Sequence, residues 1–297
     1  MIEVRGISKR YREVTAVDGL SFQVRPGVVT GFLGPNGAGK TTTMRMILGL
    51  DAPSGGDALV LGVRYATLSA PMRAVGALLD AGAAHPRRTV RNHLVCLADS
   101  NGISRRRVDE VLGLAGLASV AGRRAGTFSL GMRQRLGIAA ALLGDPAVLI
   151  FDEPVNGLDP EGILWIRTLM RDLAAEGRTV LVSSHLMSEM ALTADHLVMI
   201  GRGRLIADTS TEEVLRAREV LARTPDARRL ARALTAMGAQ VRLDGEELTV
   251  TGATPEEVGR LAAAEGAVLH ELTARRTSLE DAFMELTRAD VEFGAAR

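Results

Sequence analysis

The stretch Gly34-Pro35-Asn36-Gly37-Ala38-Gly39-Lys40-Thr41 decides the fold of this chain. It matches the phosphate-binding pattern G-x-x-x-x-G-K-[ST] in full, and it lies between an apolar strand pattern, Val28–Leu33, and an apolar helix pattern that begins at Lys40. The glycines let backbone N–H groups curl around an anion without Cβ clashes, and the start of the helix adds the positive end of its dipole. The sequence therefore predicts an α/β fold with a phosphate-binding loop.

The side chains that end this motif suit a nucleotide with its metal ion. Lys40 is one of only two lysines among 36 basic residues, and a compact ammonium reaches β- and γ-phosphates where a wider guanidinium is no substitute. Thr41 offers a hydroxyl to Mg²⁺, a hard ion that prefers oxygen ligands. We expect the next helix residue, Thr42, to belong to the same site. The alternative interpretation is a Gly-rich turn without a ligand.

A second apolar strand pattern, Ala147–Phe151, ends in two neighbouring carboxylates, Asp152 and Glu153. Strands that are buried do not normally end in paired acids unless the acids have a use. Beside a phosphate loop, Asp152 suits the Mg²⁺ shell, and Glu153, whose side chain points the other way, suits a general base facing a water. The alternative is a solvated strand end.

The composition is that of an ordinary globular protein. The chain has 297 residues, 46% hydrophobic and 24% charged, with a formal net charge of +1. A near-neutral charge argues against strong nucleic-acid binding, and the single cysteine, Cys96, excludes an internal disulfide and favours a reducing compartment. We find no apolar signal segment and no apolar run near the ~18–20 residues that span a bilayer.

The patterns divide the chain into two predicted domains, residues 1–216 and 217–297. In the first, the strand pattern Thr179–Ser183 follows a helix pattern, Pro160–Glu176, which makes a β-loop-α-β unit of a mostly parallel sheet. Residues 69–143 read as mostly helical. The second domain reads as β-α-β-β-α-β plus a helix from Ser278, a ferredoxin-like α+β order, with a hairpin turn at Asp244-Gly245 and a last strand at 267–272.

Four further features, taken with the phosphate loop, resemble the ATPase subunits of ABC transporters. Thr127-Phe128-Ser129-Leu130-Gly131-Met132-Arg133-Gln134-Arg135 is similar to that family's signature loop, LSGGQ, in a variant form. Asn156-Gly157-Leu158-Asp159 is similar to its D-loop, and Ser183-Ser184-His185 to its switch-histidine segment. Tyr11 lies where the family places an aromatic ring to stack on adenine.

The resemblance covers about residues 1–216 and implies a P-loop NTPase cassette with a RecA-like core and a helical subdomain. It implies ATP and Mg²⁺ as cofactors, and Glu153 and His185 as the catalytic pair. It also implies that Ser129 and Gly131 contact the γ-phosphate bound by a second copy, and that Asp159 belongs to the nucleotide site. Taken alone, Ser129 is an ordinary helix cap, His185 a surface histidine and Tyr11 a packing aromatic.

Two departures from the family pattern stand out. No glutamine lies between the phosphate loop and the signature, where the family has a glutamine near Mg²⁺; the matching position is Asp80, which we take as a candidate metal ligand. A carboxylate there binds the metal shell but repels the γ-phosphate when no metal intervenes. In the signature, Leu130 and Met132 replace a glycine and the glutamine.

The resemblance implies an ATP-hydrolysing subunit that powers export of a drug- or antibiotic-like small molecule. We expect it to work as a head-to-tail homodimer on separate permease subunits, whose cytoplasmic helices would dock near Asp80 and the helical region. It would then lie in the cytoplasm, peripheral on the inner face of the cell membrane, with no nucleic-acid partner. Two alternatives remain: a soluble ABC ATPase with a non-transport role on ribosomes or DNA, and a weakly hydrolysing ATP switch.

Overall fold

The computed structural model describes residues 1–215, 219–275 and 278–284, which form two compact units, Met1–Thr211 and Glu212 onward. The predicted boundary between residues 216 and 217 lies outside the described residues. The strands and helices of the first unit, in chain order, are β1 (Ile2–Tyr11), β2 (Val14–Val24), β3 (Val29–Leu33), α1 (Lys40–Ile47), β4 (Gly55–Val60), α2 (Pro71–Ala74), β5 (Val75–Leu78), α3 (Val90–Ser100), α4 (Arg105–Leu114), α5 (Leu130–Leu142), β6 (Val148–Asp152), α6 (Pro160–Ala175), β7 (Thr179–Ser184), α7 (Met187–Thr193), β8 (His196–Gly201) and β9 (Arg204–Ser210).

Two sheets build the first unit. The larger sheet has the strand order β5-β6-β7-β3-β8-β9, and all of its neighbouring strands are parallel except β8 and β9. The smaller sheet has the antiparallel order β2-β1-β4. Every residue of β3 is buried, as the continuous apolar run of a strand covered on both faces requires.

The parallel register brings four loops to one edge of the larger sheet. Leu33 lies opposite Ser184, Asp152 opposite Ser183, and Leu78 opposite Phe151. The loops that follow β3, β5, β6 and β7 therefore leave the sheet at its carboxyl edge, where ligands of open α/β sheets bind.

The helical stretch predicted for residues 69–143 contains α2 to α5, but it also contains strand β5. The register of β5 depends on Gly76, because a Cβ there would come 2.0 Å from the carbonyl oxygen of Ala141 on α5. This close approach of helix backbone to strand backbone is not visible in a local pattern. Helix α4 ends at Leu114, two residues before Gly116, which has a left-handed φ of 68°.

The second unit has the predicted element order. After α8 (Thr211–Leu215) come β10 (Glu219–Arg223), α9 (Ala227–Ala236), β11 (Gln240–Asp244), β12 (Glu247–Thr251), α10 (Pro255–Ala264) and β13 (Glu271–Arg275), and residues 279–284 are helical. The sheet order is β11-β12-β10-β13, and all three pairs are antiparallel. Leu230, Leu234, Val250 and Val258 lie in its apolar core.

Two local predictions in this unit are wrong by a few residues. The hairpin turn is Gly245-Glu246, because Asp244 still pairs with Glu247. The last strand is β13 and not 267–272: Ala267 and Leu269 pack against the core before the strand begins, and pairing with β10 starts at Glu271.

No helix in the described ranges combines the length and the hydrophobicity that crossing a membrane demands.

Candidate active site

The phosphate loop surrounds a cavity of about 230 Å³ at the carboxyl edge of β3. Gly39 precedes α1 with a left-handed φ of 103°, and a Cβ there would come 2.6 Å from the carbonyl oxygen of Ala16 on β2. Glycine is therefore required at this position for two reasons, its backbone conformation and its neighbour. The residues that line the cavity are Ala16, Pro35, Asn36, Gly37, Ala38, Gly39, Lys40, Thr41, Thr42, Asp152 and Glu153.

The ammonium group of Lys40 is held inside the loop. Its Nζ donates hydrogen bonds to the carbonyl oxygens of Gly34 at 2.6 Å and Pro35 at 3.3 Å, and it lies 4.0 Å from Oε1 of Glu153. Burial lowers the pKa of Lys40, while the charges of Glu153 and Asp152 act in the opposite direction. The ammonium of Lys40 is buried among carbonyl oxygens, and the nearest carboxylate, that of Glu153, is 4.0 Å away. This environment favours binding of an anion.

Asp152 is hydrogen-bonded from both sides. Its Oδ2 accepts from the hydroxyl of Thr41 at 2.6 Å, and its Oδ1 accepts from the hydroxyl of Ser183 on the neighbouring strand β7. A carboxylate and a hydroxyl are oxygen donors of the kind that Mg²⁺ prefers. Among the described residues no group of three His, Cys, Asp or Glu side chains is placed to hold a metal.

Glu153 adopts an unusual conformation that four contacts hold. Its φ is 51°, in the left-handed region that non-glycine residues rarely adopt. Its backbone N–H donates to Ser183 Oγ at 2.9 Å, and its carbonyl oxygen accepts from Nε2 of Gln134 at 2.9 Å. Its Oε2 lies 2.8 Å from Nδ1 of His185, and the backbone N–H of His185 points at the same oxygen at 3.4 Å. The carboxylate is thereby directed into the cavity beside Lys40.

Ser183 and Gln134 were not among the predicted site residues. Ser183 is fully buried at a position that pairs with Asp152 across the sheet, and Gln134 is buried on α5. The sequence does hold a signal for Ser183, since it is a polar residue at the end of an apolar strand, two positions before His185. The contact of Gln134 with the end of β6 depends on helix packing, and no local pattern indicates it.

The predicted signature residues lie apart from this cavity. Ser129 caps α5, where its hydroxyl accepts from the backbone N–H of Met132 at 3.2 Å. Asp159 caps α6 in the same way, accepting from Gly162 at 2.9 Å. A Cβ on Gly131 would come 2.6 Å from the carbonyl oxygen of Gly157, so the signature packs on the loop before α6. None of the three predicted residues lines the phosphate cavity of its own chain.

Tyr11 and Asp80 also lie outside the cavity lining. Tyr11 is half-exposed at the end of β1, its hydroxyl donates to Asp51 at 3.2 Å, and the Nζ of Lys9 lies 5.0 Å from its ring centre. Asp80 follows β5, and its Oδ1 accepts from the backbone N–H of Gly82 at 2.7 Å. The structure thus brings Lys40, Thr41, Asp152, Glu153 and His185 together beside the loop residues that line the cavity. Outside the cavity lining lie the predicted residues Tyr11, Asp80, Ser129, Gly131 and Asp159.

Comparison with known families gives two matches. The model of the family described as ABC transporter matches residues 17–156, which include the phosphate loop, the signature and the carboxylate pair. A model of a domain of unknown function matches residues 218–280.

Comparison with curated proteins finds relatives over nearly the whole chain. An uncharacterized ABC transporter ATP-binding protein of Bacillus subtilis, YhcH, is 37% identical over 97% of this chain and 96% of its own length. The bacitracin transport ATP-binding protein BcrA of Bacillus licheniformis is 41% identical over 70% of this chain and 69% of its own. The Nod factor export ATP-binding protein I of Paraburkholderia xenovorans is 37% identical over 98% of both.

Solved structures agree on the fold of the first unit. An ATP binding subunit of an ABC transporter superposes with a TM-score of 0.66 at 29% identity, covering 73% of this chain and 92% of that one. A dimeric ABC transporter cassette superposes with a TM-score of 0.65 at 22% identity, covering 71% and 99%. The second of these likenesses concerns the fold alone.

Proposed function

This chain belongs to the family of ABC transporter ATP-binding subunits, and we propose that it powers the export of a small molecule through a separate membrane permease. As a member of this family it binds ATP and is an ATPase. The residue roles, the metal, the second copy and the permease are our proposals.

We assign the general base to Glu153. The contact of its Oε2 with His185 Nδ1 leaves Oε1 towards Lys40, beside the space that a γ-phosphate and its attacking water need. In phosphoryl transfer the protein positions the nucleophile and stabilises charge, and a carboxylate that is fixed on both sides does the first of these. His185 orients Glu153 through its Nδ1, and we propose that it also contacts the γ-phosphate when ATP is bound.

Lys40 and the loop residues 34–39 bind the phosphates. Lys40 exchanges its carbonyl contacts for β- and γ-phosphate oxygens, and the N–H groups at the start of α1 face the same anion. Thr41 and Asp152, already in contact at 2.6 Å, would hold Mg²⁺ between them and the phosphates. The ion would neutralise phosphate charge there. We also assign Thr42, which lines the cavity, and Tyr11, at the end of β1, to the nucleotide contacts.

A second copy of the chain is the proposed source of the remaining contacts. Ser129 is exposed and Gly131 half-buried at the start of α5, and neither lines the cavity of its own chain. The start of a helix is an anion-binding end, so a partner's γ-phosphate suits it. One of the related structures is described as a dimeric cassette. Head-to-tail pairing would give two composite sites, each with one phosphate loop and one signature loop.

The export role is drawn from the relatives, one named for bacitracin transport and another for Nod factor export. We infer a small-molecule cargo and a location on the cytoplasmic face of the membrane, through the permease. Asp80, at the edge between the core and the helical region, remains our candidate for a metal contact that forms only with nucleotide bound.

The observation that carries the proposal is that Glu153 contacts His185 through one carboxylate oxygen and faces Lys40 with the other. The chain is also similar over 97% of its length to an ABC transporter ATP-binding protein. The test is expression of the chain with and without a candidate permease, a membrane protein that is isolated together with it. We expect the chain to stay on membranes through a high-salt wash when the permease is present, and to be released when it is absent. Retention on ribosomes in both cases would reject the proposal.

A further inference from the structure

Four arginines, Arg87, Arg88, Arg123 and Arg124, form what we call the arginine face of the helical region. Two chain segments that are distant in sequence bring them together. Val90 N–H donates to the carbonyl oxygen of Arg123 at 3.0 Å, Ala125 N–H donates to that of Arg88 at 3.0 Å, and Thr89 and Arg124 form a β-bridge. The two segments therefore run antiparallel, with their arginines on adjacent backbone positions.

The charge of this face is not neutralised by the chain. All four residues are exposed, and within the described residues none of their guanidinium groups makes an ion pair. Neighbouring arginines differ, because Arg91, Arg105 and Arg106 pair with Asp109, Asp99 and Glu110. The reason lies in the sequence: residues 81–98 and 111–144 contain no Asp or Glu.

The charge of this face also acts on a half-buried histidine, His93. The positive charge of Arg88 adds to burial in lowering the pKa of His93. A chain with a formal net charge of +1 thus concentrates four unpaired positive charges at one place. Such a concentration attracts anions over about a Debye length, ~8–10 Å at physiological salt.

The absence of exposed apolar and aromatic side chains on the arginine face indicates which kind of anion it binds. Residues 81–98 and 115–129, which contain the face, expose no large apolar side chain of the kind that anchors the centre of a protein interface, whereas Leu114 and Leu130, outside these two ranges, are exposed. The face itself therefore offers charge and not apolar anchors. Its one nearby aromatic, Phe128, is buried under Arg123, so no ring is free to stack on a nucleic-acid base. What remains is a set of planar guanidinium groups, which pair well with phosphate oxygens.

We propose that the arginine face binds the phosphate groups of anionic lipids at the membrane surface. This contact would hold the subunit at the membrane independently of the permease, so the inference does not depend on the proposed transport function. Basic residues near an anionic surface contribute additively and lose their effect in high salt.

The test is co-sedimentation of the full chain with vesicles of phosphatidylcholine, alone or mixed with phosphatidylglycerol. We expect binding to the mixed vesicles at low salt, and none to phosphatidylcholine alone. In the variant R87Q/R88Q/R124Q, binding should fall by about fivefold per arginine, roughly a hundredfold in all. The matched control, R64Q/R105Q/R106Q, makes the same change of net charge at arginines that have ion-pair partners, and it should bind as the original chain does.

Three results would overturn the inference: no binding to anionic vesicles, equal binding to neutral ones, or equal losses in both variants. Capture of RNA in place of vesicles would also overturn it, in favour of a nucleic-acid surface. ATP hydrolysis by both variants checks that they are folded. The lipid inference and the permease proposal can fail separately. Lipid binding is measured at low salt, whereas only the contact with the permease should hold the chain on membranes through a high-salt wash.

Discussion

The hydroxyl of Ser183 joins Asp152 and Glu153, accepting from the backbone N–H of Glu153 at 2.9 Å and donating to Oδ1 of Asp152. A serine hydroxyl donates one hydrogen bond, and Ser183 donates it to Asp152. The backbone N–H of Glu153 is therefore accepted by a lone pair of the Ser183 oxygen. One buried side chain on β7 thus fixes both carboxylate-bearing residues at the end of β6.

Ser183→Ala should therefore lower both stability and turnover. It leaves a backbone N–H and a carboxylate oxygen without their partner, which costs about 1–3 kcal/mol in the free energy of unfolding. Urea unfolding and steady-state ATP hydrolysis measure the two effects. Ser184→Ala is the matched control, since Ser184 is equally buried but accepts from Leu186 and touches neither carboxylate. If both variants hydrolyse ATP equally well, Ser183 has no positioning role.

Lys40→Ala should weaken ATP binding by roughly ten- to a hundredfold, because a charge-assisted hydrogen bond is worth about 1.5–3 kcal/mol. Lys40→Arg should not restore affinity, since the 2.6 Å contact with Gly34 leaves no room for a broader guanidinium. Isothermal calorimetry measures both. Arg64→Ala, which removes an exposed cation outside the cavity lining, should bind ATP normally. Unchanged affinity in Lys40→Ala would refute the phosphate-loop assignment.

Because the backbone of Glu153 is left-handed, we expect glycine to be more stable than alanine at this position, the reverse of their order inside a helix. Glycine adopts a φ of 51° without the Cβ penalty, so Glu153→Gly should be more stable than Glu153→Ala by about 1–2 kcal/mol. At the exposed position Arg171 inside helix α6, the order should reverse, with glycine less stable by about 1 kcal/mol. Urea unfolding of the four variants decides the question, and the same order at both sites would contradict the strain at Glu153.

The half-buried imidazole of His93 predicts a loss of stability in mild acid. Burial and the charge of Arg88 lower its pKa from 6.5, and its Nδ1 has no hydrogen-bond partner. As the pH falls through 6.5, the unfolded chain takes up this proton and the folded chain does not, so the free energy of unfolding decreases. His93→Gln removes the titrating group. Its unfolding free energy should fall less between neutral and mildly acidic pH, and equal slopes would reject this role for His93.

The sequence was sufficient to predict the features that depend on residues close together in the chain. The phosphate loop, the carboxylates at the end of β6 and the β-α-β-β-α-β order of the second unit all depend on residues that are close in the chain. The contacts of Gln134 and Ser183 with Glu153 join residues 19 and 30 positions apart, and they exist only because α5 and β7 pack beside β6.

The same distinction explains the smaller errors. The hairpin turn and the start of β13 are set by pairing with β12 and β10, which a single strand pattern does not contain. The left-handed φ of Glu153 is also a tertiary effect, since nothing in the residue type predicts it. Asp80 and Tyr11 are a different case, because they were predicted from family position and stay predictions; in the structure their side chains bond to Gly82 and Asp51.

The most direct test of the central claim is ATP hydrolysis by Glu153→Gln, measured beside ATP binding. Glutamine keeps the shape of the side chain and a contact for His185 but cannot accept the proton of the attacking water. We predict ATP affinity within about twofold of the original chain, turnover reduced by at least about a hundredfold, and a dimer that persists with ATP. Turnover at the original rate, with binding intact, would contradict the account, because the proton of the water would then leave by a route other than Glu153.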